Sequence, residues 1–307
     1  MIASATAIIL HLLLLLILPP FLLGVINKTK AFFAGRKGPP VLQVYYDMAK
    51  LLRKDLVISN TTTGVFVAGP VIGIVVPILA GLLIPFGSNP AVLSFTGDFL
   101  FFAYLFALSR FFTSSAALDT GSAFEGMGSA REVTFAVLTE PALFFVFLVL
   151  ARMSSNLTLS GMLSMGANPL YGIGSMAPLV MIVLGLFIIL LAENSRIPVD
   201  DPNTHLELTM IHEVMVLDHS GPLFGLIEYG SAIKLFVFGS LLLNIMVPLH
   251  SLSIRLGTLL WVVGMMLISV IIGVIESIMA RLRMPRVPAL LISSILLCGS
   301  ALIMLVR

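Results

Sequence analysis

Eight stretches of this chain are apolar for long enough to cross a bilayer, and that repeated pattern limits the fold more than any single motif does. They run over about 3–23, 64–85, 99–117, 133–151, 174–192, 229–249, 256–279 and 287–306. About 20 apolar residues span the hydrocarbon as a helix, which satisfies its own backbone hydrogen bonds where no water is present. The apolar residues come in continuous runs rather than alternating with polar ones, which selects helices over strands. The expected fold class is all-α: a polytopic membrane helical bundle of about eight transmembrane helices, with residues 1–307 as a single integral membrane domain.

Composition agrees, with 59% hydrophobic and 10% charged residues and a mean hydropathy of +1.11. A soluble domain is about a quarter charged. The net charge of +2 is too small to argue for nucleic acid. The one cysteine, Cys298, lies inside an apolar run. By itself it holds no iron–sulfur cluster, zinc ion or internal disulfide, so any redox centre is expected in a partner. No basic residue precedes Lys28, which favours a retained first helix over a cleaved signal peptide.

The connections alternate in basic content. Of the 17 Lys and Arg residues, all but Arg152, Arg255 and Arg307 fall within 24–63, 110–132, 193–234 and 280–286. The positive-inside rule then puts these four connections in the cytoplasm and both termini outside. The acidic residues share the bias, with Asp98 alone assigned to an outer connection. Two cytoplasmic loops, about 24–63 and 193–228, are long for a bundle and are expected to carry structure and function of their own. No internal repeat is visible, which counts against a secondary transporter.

An ionisable side chain inside a spanning helix costs several kcal/mol unless it is paired or hydrated, about 2.5–3.5 kcal/mol on insertion scales, so each is a functional candidate. Glu140 sits near the middle of the fourth segment and is followed by Pro141, which lacks an N–H and is expected to kink the helix beside the carboxylate. Glu193 ends the fifth segment, Lys234 lies in the first turns of the sixth, and Glu276 near the inner end of the seventh. These three read either as interfacial side chains snorkelling to headgroups or as functional charge. Arg110 reads either as a buried counter-ion to Glu140 or as an inner-surface anchor. A row of buried carboxylates linked by water is the usual material of a proton path.

His205, His212 and His219 recur every seven residues. In a helix such residues are separated by about 10 Å along the axis, too far to share one ion at bonds near 2 Å. No metal site is expected. His11 and His250 read as isolated bundle or interface residues, and the 16 methionines as helix packing.

The run Glu193-Asn194-Ser195-Arg196-Ile197-Pro198-Val199-Asp200-Asp201-Pro202 is polar and broken by two prolines, so the helix before it cannot simply continue. Thr204-His205-Leu206-Glu207-Leu208 follows, then Glu213, Asp218 and Ser220-Gly221. On composition it is a solvated loop that contacts a partner or serves a proton-linked role. It resembles the signature loop of the complex I H-subunit family, through Glu193, Arg196, Pro198, Asp200, Glu207, Leu208, Ser220 and Gly221. The first long loop agrees: Gly35-Arg36-Lys37-Gly38-Pro39, Leu42-Gln43, Tyr46-Asp47 and Lys50-Leu51-Leu52 resemble that family's other inner loop. Two ordered motifs in the right loops form a specific signal.

Within that superfamily, Leu118-Asp119-Thr120-Gly121-Ser122 and Ser129-Ala130-Arg131-Glu132 followed by Glu140-Pro141 are similar to the formate hydrogenlyase subunit 4 branch, found with membrane-bound nickel–iron hydrogenases. Where a complex I member places an intramembrane glutamate near position 136, this chain has Ala136, with Glu140 one turn later. His205 stands where many relatives have an acid. Both departures weigh against a conventional quinone chamber.

The resemblance implies a non-catalytic heel subunit of a group 4 nickel–iron hydrogenase or formate hydrogenlyase-type complex in the cytoplasmic membrane. Such a subunit docks the peripheral redox module and couples electron transfer to translocation of protons or another ion. Glu193, Arg196, Asp200, Asp201, Glu207 and Glu213 would sense change near the terminal cluster. Glu140, Lys234 and Glu276 would pass a proton or its electrostatic consequence into the membrane. Arg36, Lys37, Arg53 and Lys54 would help seat the soluble module. The implied partners are hydrogenase-like large and small subunits, which would hold the iron–sulfur clusters and the nickel–iron site, and antiporter-like membrane subunits; this chain itself would bind no cofactor. Two other readings stand beside it: the quinone-site subunit of a complex I-like NADH or ferredoxin dehydrogenase, and an independent ion transporter.

Overall fold

The computed structural model describes residues 5–164, 176–200, 210–249 and 252–306. Its helices are α1 (Ala5–Phe33), α2 (Gln43–Leu52), α3 (Gly64–Leu82), α4 (Asp98–Asp119), α5 (Ala123–Ser154), α6 (Leu159–Leu163), α7 (Met176–Glu193), α8 (Gly221–Met246), α9 (Ile254–Ile278) and α10 (Val287–Val306). Short 3₁₀ turns occupy Glu213–Val216 and Met284–Arg286. The described residues contain no β-strand, and eight helices are long and apolar enough to cross a membrane: α1, α3, α4, α5, α7, α8, α9 and α10 with the turn before it.

The expected segments each match one of these helices, but three helices run well past their apolar limits. Helix α1 continues to Phe33 rather than ending near 23, α5 begins at Ala123 rather than near 133, and α8 at Gly221 rather than near 229. Hydropathy marks where the surroundings change from hydrocarbon to water, whereas a helix ends where its backbone stops finding partners. The long connections 24–63 and 193–228 are accordingly shorter as loops, since they contain the last turns of α1, all of α2 and the first turns of α8.

Helix α8 is the hub, packed on α3 and α1, while α10 packs between α5 and α7 and α9 lies along α1. Close approach depends on small residues, as is usual where lipid supplies no hydrophobic drive between helices. A Cβ placed on Gly230 of α8 would sit 2.5 Å from the Gly73 carbonyl oxygen of α3, and one on Gly185 of α7 would sit 2.3 Å from Cys298 Sγ of α10. The core is aromatic at its centre: Phe102, Phe106, Phe147, Phe236 and Phe238 are buried together.

Helix α1 contains Pro19 and Pro20. Pro20 has no N–H to give to the carbonyl four residues back, that of Leu16. The Tyr229 hydroxyl of α8 donates to this Leu16 oxygen at 2.5 Å, and the Tyr45 hydroxyl of α2 donates to the next carbonyl, that of Ile17. Side chains of two other helices thus occupy the break, and α2 is held against α1 and α8.

The helix ends carrying most of the basic residues gather at one end of the bundle, here the basic end. Thr63, before α3, and Asp119, ending α4, meet there, with Thr63 N 2.6 Å from Asp119 Oδ2. At the opposite end Asn244 Nδ2 donates to Pro85 O at 2.7 Å, and the buried His11 Nε2 bonds the Gly81 carbonyl at 3.0 Å while its ring stacks on Phe86.

Candidate functional site: a buried charge cluster

Helix α5 supplies one face of the site. Glu132, Thr139 and Glu140 are spaced by seven and eight residues, so they fall on one side of a helix. Facing them from α4, Arg110 reaches Glu140 Oε1 through Nη1 at 2.5 Å and Glu193 Oε1, at the end of α7, through Nη2 at 2.6 Å; its Nε lies 3.6 Å from Glu132 Oε1. The Thr139 hydroxyl donates to Glu193 Oε1 at 2.8 Å, and Lys234 Nζ of α8 stands 2.9 Å from Glu193 Oε2. Arg110, the open alternative of the sequence, is therefore the counter-ion. It holds two carboxylates from different helices, a task suited to a planar, forked guanidinium.

Exposure is uneven across the cluster. The side chains of Arg110 and Glu193 are 10% and 7% exposed, whereas that of Glu140 is 45% exposed. Glu193 owes its place to the way α7 ends. Ser195 adopts a left-handed backbone (φ 49°), and Arg196 N returns to the Leu191 carbonyl at 2.8 Å, which turns the chain sharply after Glu193.

That turn also delivers Arg196 to a second group. Glu276 of α9, its side chain fully buried, lies 3.3 Å from Arg196 Nη1 and 2.8 Å from Lys30 Nζ in the last turns of α1. Asp200 accepts from the Ile211 and His212 backbone N–H groups at 3.0 and 3.2 Å and pairs with Arg281 at 2.7 Å. It thereby pins both ends of the segment it belongs to. Asp201, Glu207 and His205 lie outside the described residues, as does His250.

Glu213, in the 3₁₀ turn, has its carboxyl pushed up to about 7 by burial, with Glu228 and Asp200 adding to the shift and Arg196 opposing it. His212 is held below the usual imidazole range by burial, reinforced by Lys234 and opposed by Glu132 and Asp200. His219 is lowered by burial; its ring stacks on Phe66, 4.0 Å between centroids, and its Nε2 lies 3.3 Å from the Phe66 carbonyl oxygen. Arg110, Glu132, Glu193, His212, His219 and Lys234 line one cavity of about 70 Å³. Several waters fit in such a volume, and the lining offers each of them polar partners.

Of the sequence candidates, Glu140, Glu193 and Lys234 meet in the first group, Arg196 and Glu276 in the second, and Asp200 and Glu213 sit beside them. Arg36, Lys37, Arg53 and Lys54 stand exposed on the chain between α1 and α3, apart from both groups. Sequence reasoning left out Glu132, Lys30, Arg281 and Glu228. The spacing of Glu132 from Thr139 and Glu140 was the available signal for the first; the other three needed the fold. Among the described residues no three His, Cys, Asp or Glu side chains are placed to share a metal ion.

The fold is a many-helix membrane bundle in which one group of buried ion pairs links α4, α5, α7 and α8 and a second links α1 and α9. The chain belongs to the NADH dehydrogenase family, that of the complex I H-subunit, whose family model matches residues 5–307. It is 28% identical over 282 residues to formate hydrogenlyase subunit 4 of Escherichia coli (strain K12), covering 90% of each chain. It is 29% identical over 279 residues to hydrogenase-4 component C of the same organism, covering 88% of this chain and 86% of that one. To the NADH-quinone oxidoreductase H-subunit of Polaromonas naphthalenivorans (strain CJ2) it is 28% identical over 230 residues, 70% of this chain and 64% of the other. In fold it matches a chain of the membrane-bound sulfane sulfur reductase, an archaeal respiratory membrane complex, at TM-score 0.83, with 20% identity and 98% of both chains covered.

Proposed function

We propose that this chain is the membrane-anchoring and coupling subunit of a hydrogenase-type respiratory complex. It docks a peripheral redox module on its basic end and links electron transfer there to translocation of protons or another ion. The observation that carries the reading is Arg110 holding Glu140 and Glu193 at 2.5 and 2.6 Å inside the bundle. Glu193 is only three residues before Arg196, which pairs with Glu276, so a change in the loop at the basic end moves charge partners that reach the middle of α5. Charges at such depth are costly unless they are used. The similarity to formate hydrogenlyase subunit 4 and hydrogenase-4 component C over most of the chain supports the hydrogenase branch.

In this reading the iron–sulfur clusters and the nickel–iron site belong to large and small peripheral subunits, which Arg36, Lys37, Arg53 and Lys54 help to seat. Antiporter-like subunits continue the membrane arm, and the basic end faces the cytoplasm. The test is Glu140→Gln in the intact complex. Electron transfer per assembled complex is expected to stay normal while proton or sodium uptake per electron falls. Unchanged ion uptake with normal subunit levels would sink the reading, and turnover abolished by quinone-site inhibitors would favour a quinone-site subunit instead.

A further inference from the structure

Glu140 presents a problem that neither Arg110 nor the cavity solves. Its side chain is nearly half exposed although it lies at the middle of the 32-residue α5. It opens sideways, into a groove between α4 and α5 lined by Tyr104, Ala107, Leu143 and Phe144. On the two helices that flank the groove, Phe101, Tyr104, Leu108 and Phe111 of α4 and Val133 and Val137 of α5 are all exposed. Hydrocarbon chains at this depth offer a carboxylate no hydrogen bond, and water is absent there. Among the described residues, the three carboxylates Glu132, Glu140 and Glu193 form ion pairs with two bases, Arg110 and Lys234.

The outer faces of α9 and α10 are different. Away from the helix ends their exposed side chains, such as Leu259, Leu267, Leu296 and Ile303, are apolar and suit lipid directly.

We propose that the α4–α5 face is an interface, covered by a transmembrane helix of another subunit that presents a lysine or arginine to Glu140. A basic side chain there balances the surplus carboxylate, and its partner helix shields the groove from lipid. The exposed aromatic rings of Tyr104 and Phe111 supply packing surface on the α4 side. The inference rests on the reading that the chain works within a multisubunit membrane complex and adds which face meets the neighbour and with what chemistry.

The test uses the intact complex in its membrane, with p-benzoylphenylalanine placed by codon suppression at Tyr104, Val137 or, as control, Leu296. Irradiation is expected to join Tyr104 and Val137 variants to one and the same partner helix and to yield no protein adduct from Leu296. Peptide mapping should place a Lys or Arg of that helix within a turn of the joined residue, and replacing this base by a neutral residue should lower the amount of this chain retained in the purified complex, with Glu140→Gln restoring it. If Tyr104 and Val137 behave as Leu296 does, the face meets lipid and the proposal is wrong. It is equally wrong if the joined helix carries no base at that depth. Adducts formed as expected in a complex whose ion uptake is indifferent to Glu140→Gln would leave this interface standing while removing the coupling role.

Discussion

The two ends of the bundle bury polar groups in different ways. At the end away from the basic residues four buried polar side chains bond to backbone groups: His11 to the Gly81 carbonyl, Asn89 to that of Ala7, Asn244 to that of Pro85, and Asp98 to the Leu159 N–H at 2.5 Å. At the basic end backbone partners occur too, at Asp200 and His219, but side chains also satisfy one another, through Arg110 with Glu140 and Glu193, and through Glu276 with Lys30 and Arg196. A side chain bonded to backbone fixes one loop against one helix. A network of ion pairs ties several helices into a shared electrostatic state, so moving one member changes the energy of all. The first arrangement suits a rigid wall, the second a device that responds.

The sharpest way to break this contrast is Arg110→Met. Removing the guanidinium leaves Glu140 and Glu193 without their common partner, and breaking a buried pair in this one-sided way costs about 3–5 kcal/mol. The thermal midpoint of the purified complex in detergent is expected to fall by several degrees or more, and the Arg110→Met/Glu193→Gln double variant to recover part of it. At the other end Asn244→Leu loses one neutral bond, worth about 1 kcal/mol, and is expected to leave ion uptake per electron untouched. Equal losses from Arg110→Met and Asn244→Leu would dissolve the distinction.

Much of this was legible in the linear pattern, and the boundary of legibility is physical. The eight spans were readable because hydropathy over about 20 residues is a local property. The inner limits of α1, α5 and α8 were not, because polar turns such as Asn27-Lys28 or Arg131-Glu132 stay helical beyond the apolar stretch. Glu140, Glu193 and Glu276 could be singled out because a charge in an apolar run is conspicuous by itself. Arg110 could be offered as a counter-ion to Glu140, but the other pairings could not: Arg110 is 83 residues from Glu193, and Lys30 is still farther from Glu276 along the chain, so these pairs exist only after α4 meets α7 and α1 meets α9. Glu213 was reached through the resemblance alone; its burial beside Glu228 and Asp200 has no local mark in the sequence.

Glu213 gives the next test. Its carboxyl, near 4.5 in an unfolded chain, is raised to about 7 by burial and by Glu228 and Asp200. Between those values the folded protein keeps a proton that the unfolded chain has released. Stability therefore falls as pH rises from about 4.5 to about 7 and levels off above that. His212 and His219, both lowered, act with the opposite sign below the imidazole range, so the informative quantity is the difference between wild type and Glu213→Gln. The variant is expected to lose the falling component and to melt higher than wild type above about pH 7. Parallel curves for the two proteins from about pH 4.5 to about pH 8 would mean that Glu213 is not part of the responsive end.

The smallest effect tests whether the distinction follows position or partner. Tyr229 lies on α8 one residue after Glu228, in the charged half of the molecule, yet its hydroxyl donates to the Leu16 carbonyl that Pro20 leaves open. If the kind of partner decides, Tyr229 belongs with Asn244 and His11. Tyr229→Phe should then cost about 1 kcal/mol of stability and leave coupling unchanged. Pro20→Ala restores the N–H that closes the helix on Leu16, so in that background the hydroxyl has less to satisfy. The double variant Pro20→Ala/Tyr229→Phe is accordingly expected to melt close to Pro20→Ala alone. Additive losses in this cycle would mean that the tyrosine contributes by packing rather than by filling the proline gap, and a fall in ion uptake with Tyr229→Phe would assign it to the charge network instead.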